Sequence, residues 1–197
     1  MRRTKRIAWI LTLAILLTLT VPAFAASSVQ SEVQGSAAYM VSAVKAPEVG
    51  SIGGEWAIIG LARSGYAVPA NYYEDYYARV EKYVKNCSGV LHERKYTEYS
   101  RVILALTAIG RDPSKVAGYN LLTPLGDFEK TIWQGMNGPI WALIALDSGN
   151  YEIPKNPAAK TQATRQLYID EILNNQMKDG GWSLTGTGDS EIGRAHV

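Results

Sequence analysis

The amino-acid sequence predicts an all-α protein of repeated helix pairs, in which an inner ring of buried helices is wrapped by an outer ring of amphipathic ones. Three observations predict it. Apolar, helix-forming segments recur at Glu55–Gly65, Tyr99–Gly110 and Gly138–Gly149, each closed by glycine. One-sided amphipathic segments lie between them. Sustained alternation of period two, the mark of strands, is weak throughout.

The elements follow in chain order. Arg2, Arg3, Lys5 and Arg6 precede a nearly unbroken apolar run, Ile7–Val21, and then Ala23-Phe24-Ala25. Positive, then greasy, then small residues is the order of a secretory signal peptide, with cleavage expected after Ala25. Residues 26–50 are rich in Ala, Ser, Val and Gln and read as a flexible, exposed lead-in. The repeat domain is expected over 51–190. Residues 191–197 break its pattern and are expected to be a non-native tail.

Within the domain, the first apolar segment starts at Glu55-Trp56 after Gly53-Gly54. Glycine at position 65, 110 or 149 is the usual left-handed helix stop. Pro69, Pro113 and Pro154 follow the stops, where a new element is expected. The stops lie 45 and 39 residues apart, a period that marks stacked helix pairs. Segments apolar nearly all round must be buried on every side. Asn71–Lys85 instead places Tyr73, Tyr77, Val80 and Val84 on one face and charges on much of the rest. Ala163–Gln176 groups Ile169, Ile172, Leu173 and Gln176 opposite Asp170 and Glu171. Lys115–Gln134 holds a third such helix, broken at Pro124-Leu125-Gly126.

Charge narrows the function classes. Loss of Arg2, Arg3, Lys5 and Arg6 leaves 16 Lys+Arg against 18 Asp+Glu, a net charge of −2. That balance gives no electrostatic footprint for nucleic acid. No membrane span is expected once the leader is removed. Cys87 is the only cysteine, so no internal disulfide forms.

Two motifs carry a resemblance. Gln176-Met177-Lys178-Asp179-Gly180-Gly181-Trp182 fits the Gln-x-x-x-Gly-x-Trp repeat of squalene and terpene cyclases. Ile109-Gly110-Arg111-Asp112-Pro113 looks like the helix-Gly-x-Asp-Pro segment of the same superfamily. With its leader, the chain resembles exported bacterial prenyltransferase/squalene-cyclase repeat proteins over roughly residues 50–190. The resemblance implies an α/α toroid closing around a central cavity. Three inner helices would make about half of such a ring, as in a truncated fragment. It also implies structural roles for Gln176, Gly180 and Trp182: the amide meets open backbone groups at a helix end, the glycine allows a tight bend, and the indole packs over the next turn.

Chemistry is sparse. The Asp-x-Asp-Asp motif with which squalene-type cyclases protonate an alkene is absent, and Gly188-Asp189-Ser190 is its only acidic remnant. Cys87 and His92 lack the three or four clustered ligands that zinc requires. No Gly-x-Ser-x-Gly elbow, thioester motif or phosphate loop is present. Glu74 and Asp75 are neighbours on a helix and point apart. The tyrosines Tyr72, Tyr73, Tyr76, Tyr77 and Tyr83 read as outer-layer packing with hydroxyls at the rim, or as a binding stripe. In the resembling fold the ends of inner helices face the cavity, which makes Glu55, Trp56, Trp141 and Asp147 the candidate ligand residues. Core packing and helix capping are the plainer reading of all four. No cofactor is evident, and a cobalamin-like cargo follows only by analogy of fold. The expectation is an exported, non-catalytic module that binds a small ligand or an extracellular partner. The alternative is a terpene-cyclase or prenyltransferase-type enzyme with its acidic residues beyond Ser190.

Overall fold

The computed structural model describes residues 29–51, 53–184 and 190. The expected signal peptide and C-terminal tail lie outside the described residues. The described residues are mostly helical and contain no strand, only isolated bridges at Val116–Tyr119 and Asp127–Gln162. Helix α1 spans residues 29–43. It is followed by α2 (Glu55–Ser64), α3 (Tyr72–Asn86), α4 (Thr97–Ala108), a 3-10 turn (Thr123–Gly126), α5 (Phe128–Ile132), α6 (Asn137–Asp147) and α7 (Arg165–Asn174).

Helix α1 corrects the reading of a flexible lead-in. Its apolar residues, Val29, Val33, Ala37, Met40 and Val44, recur every three or four positions, a helical stripe. Ser, Gln and Gly between them dilute the pattern. Ala37 is buried, Gln34 donates to the Ser64 carbonyl at 3.2 Å, and Met40 lies against Gly60 of α2.

The three apolar segments form α2, α4 and α6, and α4 packs against both of the others. Interactions at both ends fix their register. Glu55 at the head of α2 lies in the field of Glu98 and Arg101 in the first turns of α4. Gln134, just before α6, accepts from the Thr97 backbone N–H at 3.0 Å. At the other end, Thr107 near the end of α4 meets the Tyr151 hydroxyl, beyond α6, at 3.0 Å. The three helices therefore run parallel, heads together. Their joint core includes Ile58, Leu61, Val102, Ile103, Leu106, Ala142 and Leu146. Each large aliphatic group buried there stabilises by about 1.5–3 kcal/mol.

Burial on every side does not hold. Each of these helices keeps one less covered stripe: exposed Trp56, Gly60 and Arg63 on α2, half-buried Thr97, Arg101, Leu104 and Ala108 on α4, and half-buried Asn137 and Trp141 with exposed Ile144 on α6. The spacing of three or four residues along each stripe marks a single face of each helix, partly uncovered.

The amphipathic helices differ in detail from expectation. Helix α3 buries Tyr72, Tyr76, Val80 and Val84, and leaves Tyr73 and Tyr77 half-buried. Strict i,i+4 spacing from Val80 and Val84 selects Tyr72 and Tyr76, so the seam starts one residue earlier. Helix α7 buries Tyr168 and exposes Ile169 and Leu173, while Ile172 is half-buried and Asp170 exposed, so the inward face is rotated from the expected one. The Tyr168 hydroxyl explains it, donating to the Leu125 carbonyl at 2.7 Å and reaching Thr131 at 3.0 Å. Tyr168 thereby buries its whole ring and leaves its hydroxyl bonded, which fixes the face that turns in.

Two of the three glycine stops are as expected: Gly65 and Gly110 have φ of 67° and 73°. After α4, the Arg111 N–H returns to the Leu106 carbonyl at 2.8 Å, as a left-handed helix end requires. The third stop is not Gly149 but Asn150, at φ 53°. Gly149 serves close approach instead, since a Cβ there would sit 2.4 Å from the Tyr151 ring. The prolines vary too. Only Pro69 leads into a helix, its carbonyl accepting from the first residue of α3.

Candidate functional face

The candidate residues divide into a pair that meets, one that is sealed and one that lies apart. Trp56 of α2 and Trp141 of α6 are brought together edge to face, ring centroids 5.2 Å apart. Helix α4 lies between their helices, and all three heads are level, so the rings meet beside the half-buried stripe of α4. Trp56 remains 40% exposed. Edge-to-face rings attract by about 0.5–1.5 kcal/mol beyond area burial, which holds the pair in place without covering it.

Two further features border this face. Trp133 is 54% exposed, and the Arg94 guanidinium stacks over its ring at 4.1 Å from the centroid. Arg101 on α4 pairs with Glu98 three residues earlier, both side chains mostly shielded. The face thus combines exposed aromatic surface with a fixed charge pair at its head. Trp133, Arg94, Glu98 and Arg101 were not among the sequence candidates. A charged residue inside an otherwise apolar repeat segment, Arg101, was the signal available.

Glu55 does not face the opening. Its side chain is 0% exposed. One carboxyl oxygen accepts from the Gly50 N–H at 2.8 Å, while Oε2 has no hydrogen-bonding partner. The loop before it is tightly folded over the carboxyl: Ser51 bonds the Glu48 carbonyl through both N–H and hydroxyl. A Cβ on Gly54 would come within 2.0 Å of that same carbonyl. Burial raises the Glu55 pKa above its ordinary value of 4.5, against the Gly50 hydrogen bond and the Arg101 charge, which pull it down. The Tyr76 hydroxyl of α3, also fully buried, lies in the field of Glu55 and Arg101, and its pKa is raised chiefly by burial. The expectation of hydroxyls at the rim fails for this tyrosine.

Asp147 is at the far end of α6, with its carboxylate paired to Arg165 of α7. Arg165 also donates to the Tyr151 carbonyl at 3.1 Å. The group clamps α6, the following turn and α7, and Asp147 is apart from the tryptophan pair.

The Gln-Gly-Trp motif closes the turn after α7, with the amide bonded inside the turn and the indole on the helix end. Gln176 donates to the Gly180 carbonyl at 2.8 Å, and the Trp182 indole N–H donates to the Ile172 carbonyl at 2.7 Å. Gly180 has φ 83°, a backbone state glycine adopts without strain. The Gly-x-Asp-Pro segment is also local structure: Asp112 accepts from the Ser114 N–H and hydroxyl, and these bonds lower its pKa. His92 and Cys87 do not meet. His92 accepts from the Arg94 and Lys95 N–H groups, and the Cys87 thiol lies 3.5 Å from the Val84 carbonyl.

Among the described residues, no cluster of three or more His, Cys, Asp or Glu stands where it could hold a metal ion. Among them, too, no helix is long and apolar enough to cross a membrane. Comparison of the chain with protein-family models, with curated proteins and with solved structures yields no match.

Proposed function

We propose that this protein is an exported, non-catalytic binding module on a helix-pair scaffold of the α/α-toroid kind, and that it takes up a small ligand with apolar surface on the uncovered face of α2, α4 and α6. The observation that carries this reading is the Trp56–Trp141 pair, two rings from separate helices brought together yet left in contact with solvent. Tryptophan in that position is expensive to leave exposed and useful when covered. Export is supported by the order of residues in the leader. A binding role, rather than catalysis, is supported by the enclosure of Glu55, which keeps this acid from reaching a ligand laid across the rings.

The test is a dye titration. Anilinonaphthalene sulfonate, an apolar anion that brightens when it leaves water, should bind the mature protein at this face. Trp141→Ala removes half of the ring pair and should weaken binding about tenfold, matching roughly 1.4 kcal/mol of lost contact. Leu173→Ala, at an exposed apolar residue on α7, should leave affinity unchanged. Equal affinity of Trp141→Ala and the unaltered protein would remove the face from consideration.

A further inference from the structure

Glu55 sits next to Trp56 in the chain and heads the same helix, so the state of its carboxyl bears on how the ring is held. Groups from three elements converge on that carboxyl. The Gly50–Gly54 loop covers it and gives one N–H. Helix α3 brings the Tyr76 hydroxyl, with Arg79 and Tyr83 also within electrostatic range of this group. Helix α4 brings Glu98 and Arg101. Three buried atoms here lack hydrogen-bonding partners: Glu55 Oε2, the Tyr76 hydroxyl and Arg101 Nε. Unpaired buried polar atoms are rare, and each costs about 1–3 kcal/mol. Three around one carboxyl are a cluster.

Burial is what favours a neutral Glu55, whose side chain is fully enclosed. Arg101 is the cation next to it, and Arg101 is already paired with Glu98. The backbone N–H groups of Gly50 and Glu55 and the Arg101 charge favour the carboxylate, the Glu98 repulsion opposes it more weakly, and the loss of water outweighs them. A carboxylic acid avoids burying that charge, and its O–H can donate to the Tyr76 oxygen beside it. The step is a simple exchange of one proton between the acid and solvent.

We propose that Glu55 is a proton-controlled latch: as the acid it ties the Gly50–Gly54 loop, α3 and α4 to the head of α2 and holds Trp56 against Trp141, and on ionisation it loosens that head and separates the rings. For ligand uptake this rests on the proposed use of the uncovered face. The proton step itself does not, because it is read without ligand. The raised pKa of Glu55 agrees with it. Sign follows from linkage. The folded protein holds this proton more tightly than the unfolded chain, so the tied state is favoured at low pH and weakens as pH rises through the folded pKa.

The experiment follows the mature protein without ligand by tryptophan emission and by the carbon-13 shift of the Glu55 carboxyl, across roughly pH 4 to 8. The carboxyl signal is assigned by its loss in Glu55→Gln. The unaltered protein should show one transition in both signals, with a common midpoint above 4.5. Glu55→Gln, which keeps an acceptor for Gly50 and cannot ionise, should hold the low-pH emission throughout. Tyr76→Phe removes the partner of the acid proton and should move the carboxyl midpoint down. Glu98→Gln removes the opposing carboxylate and should move it down as well. The proposal is overturned if Glu55→Gln keeps the emission transition, or if the carboxyl titrates at or below 4.5. A carboxyl transition with no change in emission would equally overturn it, since the ring pair would then be indifferent to the proton. Failure of dye binding at the face, with the emission transition intact, would instead sink only the binding role.

Discussion

At Glu55, a single side chain joins folding to the candidate site. A buried acid with one backbone hydrogen bond contributes to stability in a pH-dependent way. The unfolded chain ionises near the ordinary carboxylate pKa and the folded protein does so higher, so stability falls as pH rises between the two and is level above. Glu55→Gln should therefore raise the thermal midpoint at neutral pH and change it little in acid, measured by circular dichroism melts. A gain of similar size at both pH values would contradict this. At Gly54 the reason for glycine is distance rather than dihedral freedom. Any Cβ would sit 2.0 Å from the Glu48 carbonyl, so Gly54→Ala must displace the loop over Glu55. We expect it to lower stability by about 2–3 kcal/mol, within the range of overpacking, as read by urea unfolding. The sequence singled out the position through Gly53-Gly54 but could not distinguish close approach from flexibility. It singled out Glu55 and Trp56 together, and could not tell which of the two faces the opening until the loop and α4 were in place.

Helix ends and helix faces were legible to different degrees. Ends are local: the apolar runs, Gly65, Gly110 and the bend at Gly180 follow from sequence because their partners lie within a few residues. Asn150 shows the limit. Asn beside Gly makes either a suitable left-handed stop, and packing against Tyr151 gave that role to Asn150. Asn150→Gly should thus stabilise by about 0.5–1 kcal/mol, by removing the strain of a side chain at positive φ. A loss of stability in equilibrium unfolding would contradict that role. Thr164 caps α7 by accepting from the Leu167 N–H at 3.1 Å. Thr164→Ala should cost about 1 kcal/mol. Faces are not local. Which side of α7 turns inward is set by Tyr168 reaching Leu125 and Thr131, some forty residues earlier, and no period within α7 carries that information. The same holds for α1, where a diluted apolar stripe becomes a helix because α2 offers it a groove.

Across the whole molecule, α4 is the centre. It packs on α2 and α6, and its register with both is fixed by contacts at its head and its tail. The alternation of apolar and amphipathic segments was enough to predict an all-helical fold with helices at the three apolar segments. It was not enough to predict that each of these helices keeps a partly uncovered stripe, because hydropathy counts apolar residues without saying what covers them. The tryptophan pair was legible as two separate candidates and not as a contact, since their meeting depends on how α2 and α6 flank α4. Asp147 was grouped with them by helix position alone, and the clamp it makes with Arg165 depends on α7.

The most direct measurement is the nitrogen-15 indole spectrum of the protein, recorded while a library of small apolar compounds is added. The indole N–H of each tryptophan reports separately, and Trp182, its indole tied to the Ile172 carbonyl of α7, serves as the internal reference. A compound that binds is expected to shift the Trp56 and Trp141 signals together and leave Trp182 in place. Compounds that bind while Trp56 and Trp141 stay fixed would contradict the account, and would put the ligand surface of this protein elsewhere.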